Sequence, residues 1–156
     1  MAKAPYIKDM THRFRPLSFL FLVLALAGPA PADEAFAPVA AADVVVADHL
    51  FVHRPVVVFA DSPDDPAFQR QMALLARGAA DLAERDVIVV TDTDPATPTE
   101  LRRTLRPRGF ALILMDKDWT PELRKPLPWD VREITRAIDK MPLVRAEALE
   151  RHPSGR

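Results

Sequence analysis

Residues 55-PVVVFADSPDDPAFQRQ-71 have the pattern of a strand, a sharp corner and the start of a helix. The strand part, 55–60, is apolar without polar alternation, which is typical of strands covered on both faces. At the corner, Ser62 and Asp65 are both possible helix caps. Asp65 is the better one, because Pro66 then takes the first helical position, where no backbone N–H is needed. The stretch therefore predicts a strand-turn-helix unit capped by Asp65.

The middle of the chain continues this alternation of strands and helices. Segments 87–90 and 110–115 are continuously apolar and predict two more covered strands. Apolar residues at helical steps predict a crossover helix from about Pro66 to Glu84, namely Phe68, Met72, Leu75, Ala79 and Leu82. Residues 97-TPTE-100 form a capping box with Thr97 as the cap and predict a short second helix.

The C-terminal third predicts a hairpin and a last helix. Residues 116–125 predict a turn and a short fourth strand, and Pro128 and Trp129 introduce a helix. The apolar face of that helix is expected to consist of Val131, Ile134, Ile138 and Met141. The predicted class is α/β, in the order β-α-β-α-β-β-α, with a mixed four-stranded sheet covered by helices on both faces. This order matches the thioredoxin-like fold.

The N-terminus has the pattern of a secretory signal peptide. Basic residues precede the apolar run 17–28, and Ala30-Pro31-Ala32 places small residues where a signal peptidase cleaves. The run of 12 residues is shorter than the roughly 20 that cross a bilayer as a helix, so no membrane anchor is expected after cleavage. Met1 and Met10 are both possible starts. The expected organisation of this exported, periplasmic or secreted chain is a signal peptide at 1–32, an Ala/Pro-rich lead-in at 33–48 in which 43–47 can add an edge strand, one domain at 49–150 and a disordered tail at 151–156.

Composition limits the chemistry of the mature chain. Residues 1–32 contain four of the 21 Lys and Arg and one of the 22 Asp and Glu, which leaves 17 basic against 21 acidic residues and a net charge of −4. Nucleic acid is therefore not expected as a partner. The chain has no cysteine, so disulfides and thiol catalysis are excluded. We expect no cofactor.

The corner contains most of the candidate contact residues. Its aspartates already give the helix N-terminus negative charge, which disfavours an anion. A calcium site is not expected either, because no Asp-x-Asp-x-Asp-Gly loop is present. Lys117, in the turn after the third strand, is expected to face the same edge. The expected contact rim consists of Asp61, Ser62, Asp64, Asp65, Arg70 and Lys117. We assign no catalytic residue and no metal site, and expect a module that binds an unknown periplasmic or extracellular protein or ligand.

Two other functions stay open at this point. In the first, the chain is an enzyme in which one of the three corner aspartates acts as the general acid or base and Arg70 or Lys117 stabilises charge. In the second, the chain is a subunit whose apolar surface around Trp119 and Trp129 is covered by a partner.

The remaining histidines and arginines have simple interpretations. His49 and His53 are expected at the surface or at an edge, since two ligands alone do not make a zinc site. Four arginines are expected to form a solvated helix face or a docking surface for an acidic partner. These arginines are Arg102, Arg103, Arg106 and Arg108.

Five blocks occur in the order of a known family: Phe59-Ala60 with 62-SPDDPAFQRQ-71, 84-ERDVIVV-90, 109-GFALILMDKD-118, Pro126-Leu127-Pro128 and 138-IDKMPLVRAE-147. They resemble the P-DUDES family, a peroxiredoxin-like domain of unknown function in secreted bacterial proteins and in extracellular matrix proteins of animals. The resemblance covers residues 49–150 and implies a thioredoxin-like fold, export and association with extracellular components, without an established reaction. It places 61–68 where peroxiredoxins keep their peroxidatic cysteine. Residues 108–110 lack the cis-proline of thioredoxins, so a thioredoxin-style peptide groove is not expected.

Overall fold

The computed structural model of this chain describes residues 36–151, without the side chains of Ala148 and Arg151. The predicted signal peptide and residues 152–156 lie outside the described residues. The strands are β1 (Val39–Ala40), β2 (Arg54–Phe59), β3 (Val87–Asp92), β4 (Ala111–Met115) and β5 (Pro121–Lys125). The helices are α1 (Val46–His49), α2 (Pro66–Arg77), α3 (Ala79–Ala83), α4 (Glu100–Leu105), α5 (Val131–Ile138) and α6 (Pro142–Arg151). Within residues 36–151, no helix is long and apolar enough to cross a membrane.

The strands form one mixed sheet in the order β1-β3-β2-β4-β5. Strand β3 is parallel to β1 and β2, whereas β4 is antiparallel to β2 and β5. This arrangement confirms the thioredoxin-like fold class. The sheet has five strands instead of four, because Val39–Ala40 pairs with Val90 and Thr91. The possible edge strand at 43–47 does not form, since a turn closed by the Asp43 N–H on the Ala40 carbonyl (2.9 Å) precedes it and α1 includes its end.

The central strand β2 is buried along its whole length. Its side chains alternate between the two faces of the sheet, as expected for extended chain. Val56 and Val58 join the core formed with α2, α3 and α5, and Val57 and Phe59 join the core formed with α4 and Trp119. Both faces of the sheet are therefore covered, as the continuous apolar run predicts.

The crossover helix predicted from Pro66 to Glu84 is broken in two. Helix α2 ends at Arg77, Gly78 has φ −105° and ψ 22°, and α3 begins at Ala79. The side chain of Val131, at the start of α5, lies so close that a Cβ at residue 78 would be 2.5 Å from its Cγ1. Glycine is the weakest helix former after proline, and here it also makes room for α5.

Two other predicted helix boundaries are wrong. The cap of α4 is Thr99 instead of Thr97, because the Asp94 carboxylate accepts hydrogen bonds from the Ala96 and Thr97 N–H groups and holds those residues in a preceding turn. Met141 is buried as expected but lies beyond the end of α5, between α5 and α6. The last helix, α6, includes Arg151, the first residue of the expected tail.

The contact between Gly78 and Val131 gives a test of the break. We expect Gly78→Ala to lower the free energy of unfolding by about 1–3 kcal/mol, as overpacking does elsewhere. In a chain with Val131→Ala, the same change should cost at least about 0.5 kcal/mol less, because the clashing methyl groups are gone. Urea unfolding of the four proteins measures this difference. Equal costs in both backgrounds would show that the Val131 side chain does not impose the glycine.

Candidate functional site

The corner after β2 is built by side chains that bond to the backbone. The Oδ1 atom of Asp65 accepts hydrogen bonds from the N–H groups of Ala67 (2.7 Å) and Phe68 (3.1 Å), which confirms Asp65 as the cap of α2. The Ser62 hydroxyl accepts from the Asp64 N–H at 3.1 Å. The Asp61 side chain is 63% exposed, and Asp64 is exposed as well. The side chains of Ser62 and Asp65 therefore stabilise the turn, whereas those of Asp61 and Asp64 are exposed to solvent.

Beneath the corner lies a buried arginine, Arg102, which the sequence analysis expected on a solvated helix face or a docking surface. Arg102 donates from Nε to Asp92 Oδ1 (2.9 Å) and from Nη2 to the carbonyls of Ala60 (2.8 Å) and Asp92 (2.9 Å). Asp92 is buried, and its Oδ2 accepts from the Thr99 hydroxyl at 2.7 Å. The Arg102 guanidinium also lies 5.4 Å from the centroid of the Phe59 ring. Only Arg103, Arg106 and Arg108 of the arginine cluster are exposed as expected.

This network joins the ends of β2 and β3 to α4. A buried guanidinium is stable only when its donors and its charge are satisfied, and here one carboxylate and two carbonyls do so. The remaining nitrogen, Nη1, lies 3.8 Å from Asp61 Oδ1. Arg102 therefore connects α4 to the ends of β2 and β3, and its bonded guanidinium is a poor site for an added anion.

Lys117 does not belong to the corner. Strand β4 runs antiparallel to β2, so its C-terminal end lies at the edge of the sheet where β2 begins. There the Lys117 Nζ is 2.9 Å from Asp86 Oδ2 and 3.1 Å from Glu147 Oε1. The expectation that it faces the rim is wrong. Arg70 is exposed on α2 and forms no ion pair with another described residue.

A second buried arginine lies at this opposite end of the sheet, where β2 begins. Arg54 donates to Asp116 Oδ1 (3.2 Å), to Glu147 Oε2 (2.9 Å) and to the Arg85 carbonyl (3.1 Å). Burial raises the pKa of Glu147, but hydrogen bonds from Arg54 and Lys117 outweigh burial, so that this pKa lies below its ordinary value. The sequence analysis did not identify Arg54, although a charged residue directly before a buried strand was a usable signal.

The two histidines contact each other and a tryptophan. Their Nδ1 atoms are 3.1 Å apart, and the His49 ring is stacked on Trp119 with centroids 6.3 Å apart. Burial, and after it the neighbouring His49, lowers the pKa of His53 below its ordinary value. Within residues 36–151, no group of three metal-ligating side chains accompanies the pair.

The tryptophans do not form an exposed apolar surface. Trp119 is buried, and Trp129 is half-buried, with the Lys125 Nζ 4.5 Å from its ring centroid. Exposed apolar side chains instead cluster in 45–52, where Phe51 is 66% exposed. The expectation that Trp119 offers a surface to a partner is therefore wrong.

A cavity of about 360 Å³ lies beside Trp119. It is bounded by α4, by the ends of β4 and β5 and by the segment after β1, and its apolar walls include Val44, Leu101, Leu105 and Met115. Glu100, Thr104 and Arg124 supply polar groups. None of the corner residues lines it. The sequence analysis missed the cavity, because its walls come from four segments that no local pattern connects.

These features define a thioredoxin-like domain whose corner contains a carboxylate cap and a buried arginine, in a chain without cysteine. Residues 46–147 match the family described as "Domain of unknown function (DUF4174)", and the chain belongs to this family. No curated protein matches the chain.

Two solved structures from Plasmodium yoelii are similar to this chain. Thioredoxin peroxidase I is 16% identical, with a TM-score of 0.47 over 70% of this chain and 80% of that one. Prx1a modified at its N-terminus, described as forming an artifactual octamer, is 17% identical, with the same TM-score and the same coverage of both chains.

The buried pair beneath the corner predicts a large difference between two adjacent arginines. We expect Arg102→Met to lower the free energy of unfolding by about 3–5 kcal/mol, because Asp92 is left buried and unpaired. The exposed neighbour serves as the control, since Arg103→Met should change this energy by about 0.5 kcal/mol or less. Asp92→Asn added to Arg102→Met should recover part of the loss. Similar urea midpoints for the two single variants would contradict the assignment.

The histidine contact predicts a pH effect. Because the pKa of His53 is lower in the folded chain than in the unfolded one, folding favours the neutral ring. This contribution to stability is complete above about pH 6.5 and is lost as the pH falls through the folded pKa. We expect His49→Asn to raise the pKa of His53, because a neighbouring positive charge is removed while burial stays. An NMR titration of the His53 Cε1 proton measures it, and an unchanged midpoint would rule out a contribution from His49.

Proposed function

We propose that this chain is an exported domain that acts by binding a periplasmic or extracellular partner and not by thiol exchange. The observation that supports this proposal best is the content of the corner. Where a thiol enzyme of this fold needs a nucleophile, Asp65 caps the helix and Arg102 is paired with Asp92. Because these groups stabilise the fold, the use that we propose for the corner is binding by the surface around it.

The proposed contact surface is the corner rim, defined as Asp61, Ser62, Asp64, Asp65 and Arg70. It differs from the expected rim by the loss of Lys117, which lies at the other edge of the sheet. Asp61 and Asp64 are exposed, and Arg70 is exposed without an ion pair to another described residue. The rim thus favours a partner that presents basic side chains to the aspartates and one acidic group to Arg70.

No observation favours the enzyme alternative over binding. The Asp65 carboxylate is used by two backbone N–H groups. Asp61 and Asp64 are exposed, and the cavity beside Trp119 lies away from them. General acid-base catalysis needs a positioned group with a tuned pKa, usually in a cleft.

Export rests on the N-terminal sequence pattern, a basic stretch followed by an apolar run and small residues. We also propose that the resemblance of the five sequence blocks to P-DUDES proteins reflects a relationship inside the DUF4174 family. Both proposals agree with a domain that meets its partner outside the cytoplasm.

Cross-linking in the native periplasm or medium, followed by affinity measurement on the recovered partner, tests the rim. We expect Asp64→Asn with Arg70→Ala to weaken binding by about tenfold, since each exposed charge contributes up to about 1 kcal/mol. Asp65 stays unchanged, because its loss would destabilise α2. The matched control is Glu122→Gln with Arg103→Ala, which removes one exposed charge of each sign elsewhere. Thermal melts must show equal folding, and unchanged binding in the rim variant would refute the rim as the contact surface.

A further inference from the structure

Three arginines line one groove at the end of the sheet where β4 begins. The groove has a volume of about 350 Å³. Arg106 and Arg108 come from the loop between α4 and β4, whereas Arg124 lies on β5. The other lining residues are apolar, namely Phe110, Ala111 and Pro126. The fold thus brings three guanidinium groups from two separate segments around an apolar floor.

No carboxylate balances the charge of this groove. None of the three arginines forms an ion pair with another described residue, and within residues 36–151 no acidic side chain lines the groove. Solvent screens each exposed guanidinium. Nevertheless, a cleft lined by charges of one sign repels like charge and concentrates ions of the opposite sign. The groove is therefore complementary to an anion and unfavourable for a cation.

Local contacts restrain the positions of these arginines. Arg124 donates from Nη2 to the carbonyl of Leu105, the last residue of α4, which leaves its charge without a counterion. Arg106 follows Leu105 with φ 47°, and Gly109 has φ 60°. These two left-handed residues turn the chain sharply from α4 into β4, with Arg108 between them. The groove is thus shaped by the backbone and does not depend on a ligand for its form.

We propose that this groove binds a small organic molecule that carries two or more oxyanion groups, either carboxylates or phosphates. A guanidinium pairs with either group through two parallel N–H donors. Three unbalanced guanidinium groups favour more than one negative charge, and the apolar floor contacts the body of the molecule. The volume of the groove lies near the lower end of the range for small-molecule sites, about 300–1,000 Å³.

The groove is a neighbour of the corner rim but shares no residue with it. A Cβ at Gly109 would lie 3.9 Å from Asp61 Oδ2, whereas none of the rim residues lines the groove. The inference therefore does not rest on the proposed function. Arg124 also lines the cavity beside Trp119, but that cavity includes the oppositely charged Glu100.

Isophthalate and resorcinol bisphosphate are the probes, because they place two carboxylates or two phosphates on the same ring. Benzoate has one charge on that ring, benzamidinium has the opposite charge, and inorganic phosphate has no ring. Calorimetric titration uses the full chain, with the N-terminus that the host leaves, at low ionic strength. We expect at least one probe to bind about tenfold more tightly than benzoate and inorganic phosphate, and benzamidinium not to bind. The tighter probe identifies the kind of oxyanion.

Two groove variants and two controls locate the binding. Arg106→Gln and Arg108→Gln should each raise the dissociation constant of the tighter probe about tenfold, as expected for loss of a hydrogen bond to a charged group. Both should change Tm by no more than about 2 °C, since neither side chain bonds to another described residue. Arg103→Gln makes the same change on an exposed residue outside the groove and should weaken binding less than about threefold. Asp64→Asn with Arg70→Ala should leave binding unchanged.

Four results would overturn the proposal. Failure of both probes to bind in a saturable way would show that the groove is not a site for this class of molecule. Equal affinities for both probes and benzoate would show that a second oxyanion is not recognised. An effect of Arg103→Gln as large as that of the groove variants would indicate attraction by the general field of the arginines. A loss of binding on Asp64→Asn with Arg70→Ala alone would place the anion at the corner rim.

Discussion

The burial of β2 on both faces is the constraint on which the rest of this structure depends. A strand covered by helices on both sides cannot expose its ends to water without weakening the core, and polar groups at those ends need partners. Two arginines provide these partners: Arg54 is the first residue of β2, and Arg102, on α4, lies next to the other end of β2. Each is bonded to a buried aspartate and to a backbone carbonyl. The two guanidinium groups thus lie at opposite ends of the central strand, and the surface around each end is different.

The sequence predicts the elements whose signals are local. The continuous apolar runs predict three covered strands, and Asp65 followed by Pro66 predicts the start of α2. Nonlocal features escape such patterns. Thr99 replaces Thr97 as a cap because Asp94 holds the residues between, and Gly78 breaks a helix because Val131 packs against it. In both cases the deciding contact comes from a residue outside the predicted segment.

The candidate site is predictable in part for the same reason. The corner residues are consecutive, so their proximity follows from the sequence alone. Lys117 was misplaced because it follows a strand, and the direction of that strand decides the edge at which it lies. The prediction for Arg102 was wrong because the sequence groups it with three arginines that are exposed. Its neighbours in space are instead Asp92 and Phe59. Helical spacing contained a signal, since Leu105, three residues on, is buried on the same face.

The corner of this cysteine-free chain is not an empty site. In thiol enzymes, the helix N-terminus after the first long strand stabilises a thiolate. In this chain, the first turn of that helix is satisfied by Asp65, and the space beneath it is filled by Arg102 and Asp92. A nucleophile added at the corner would therefore meet negative charge from three aspartates and a guanidinium already paired. The corner is thus occupied by groups that stabilise the fold, and among the described residues a buried donor without a partner lies elsewhere, at Trp119 Nε1.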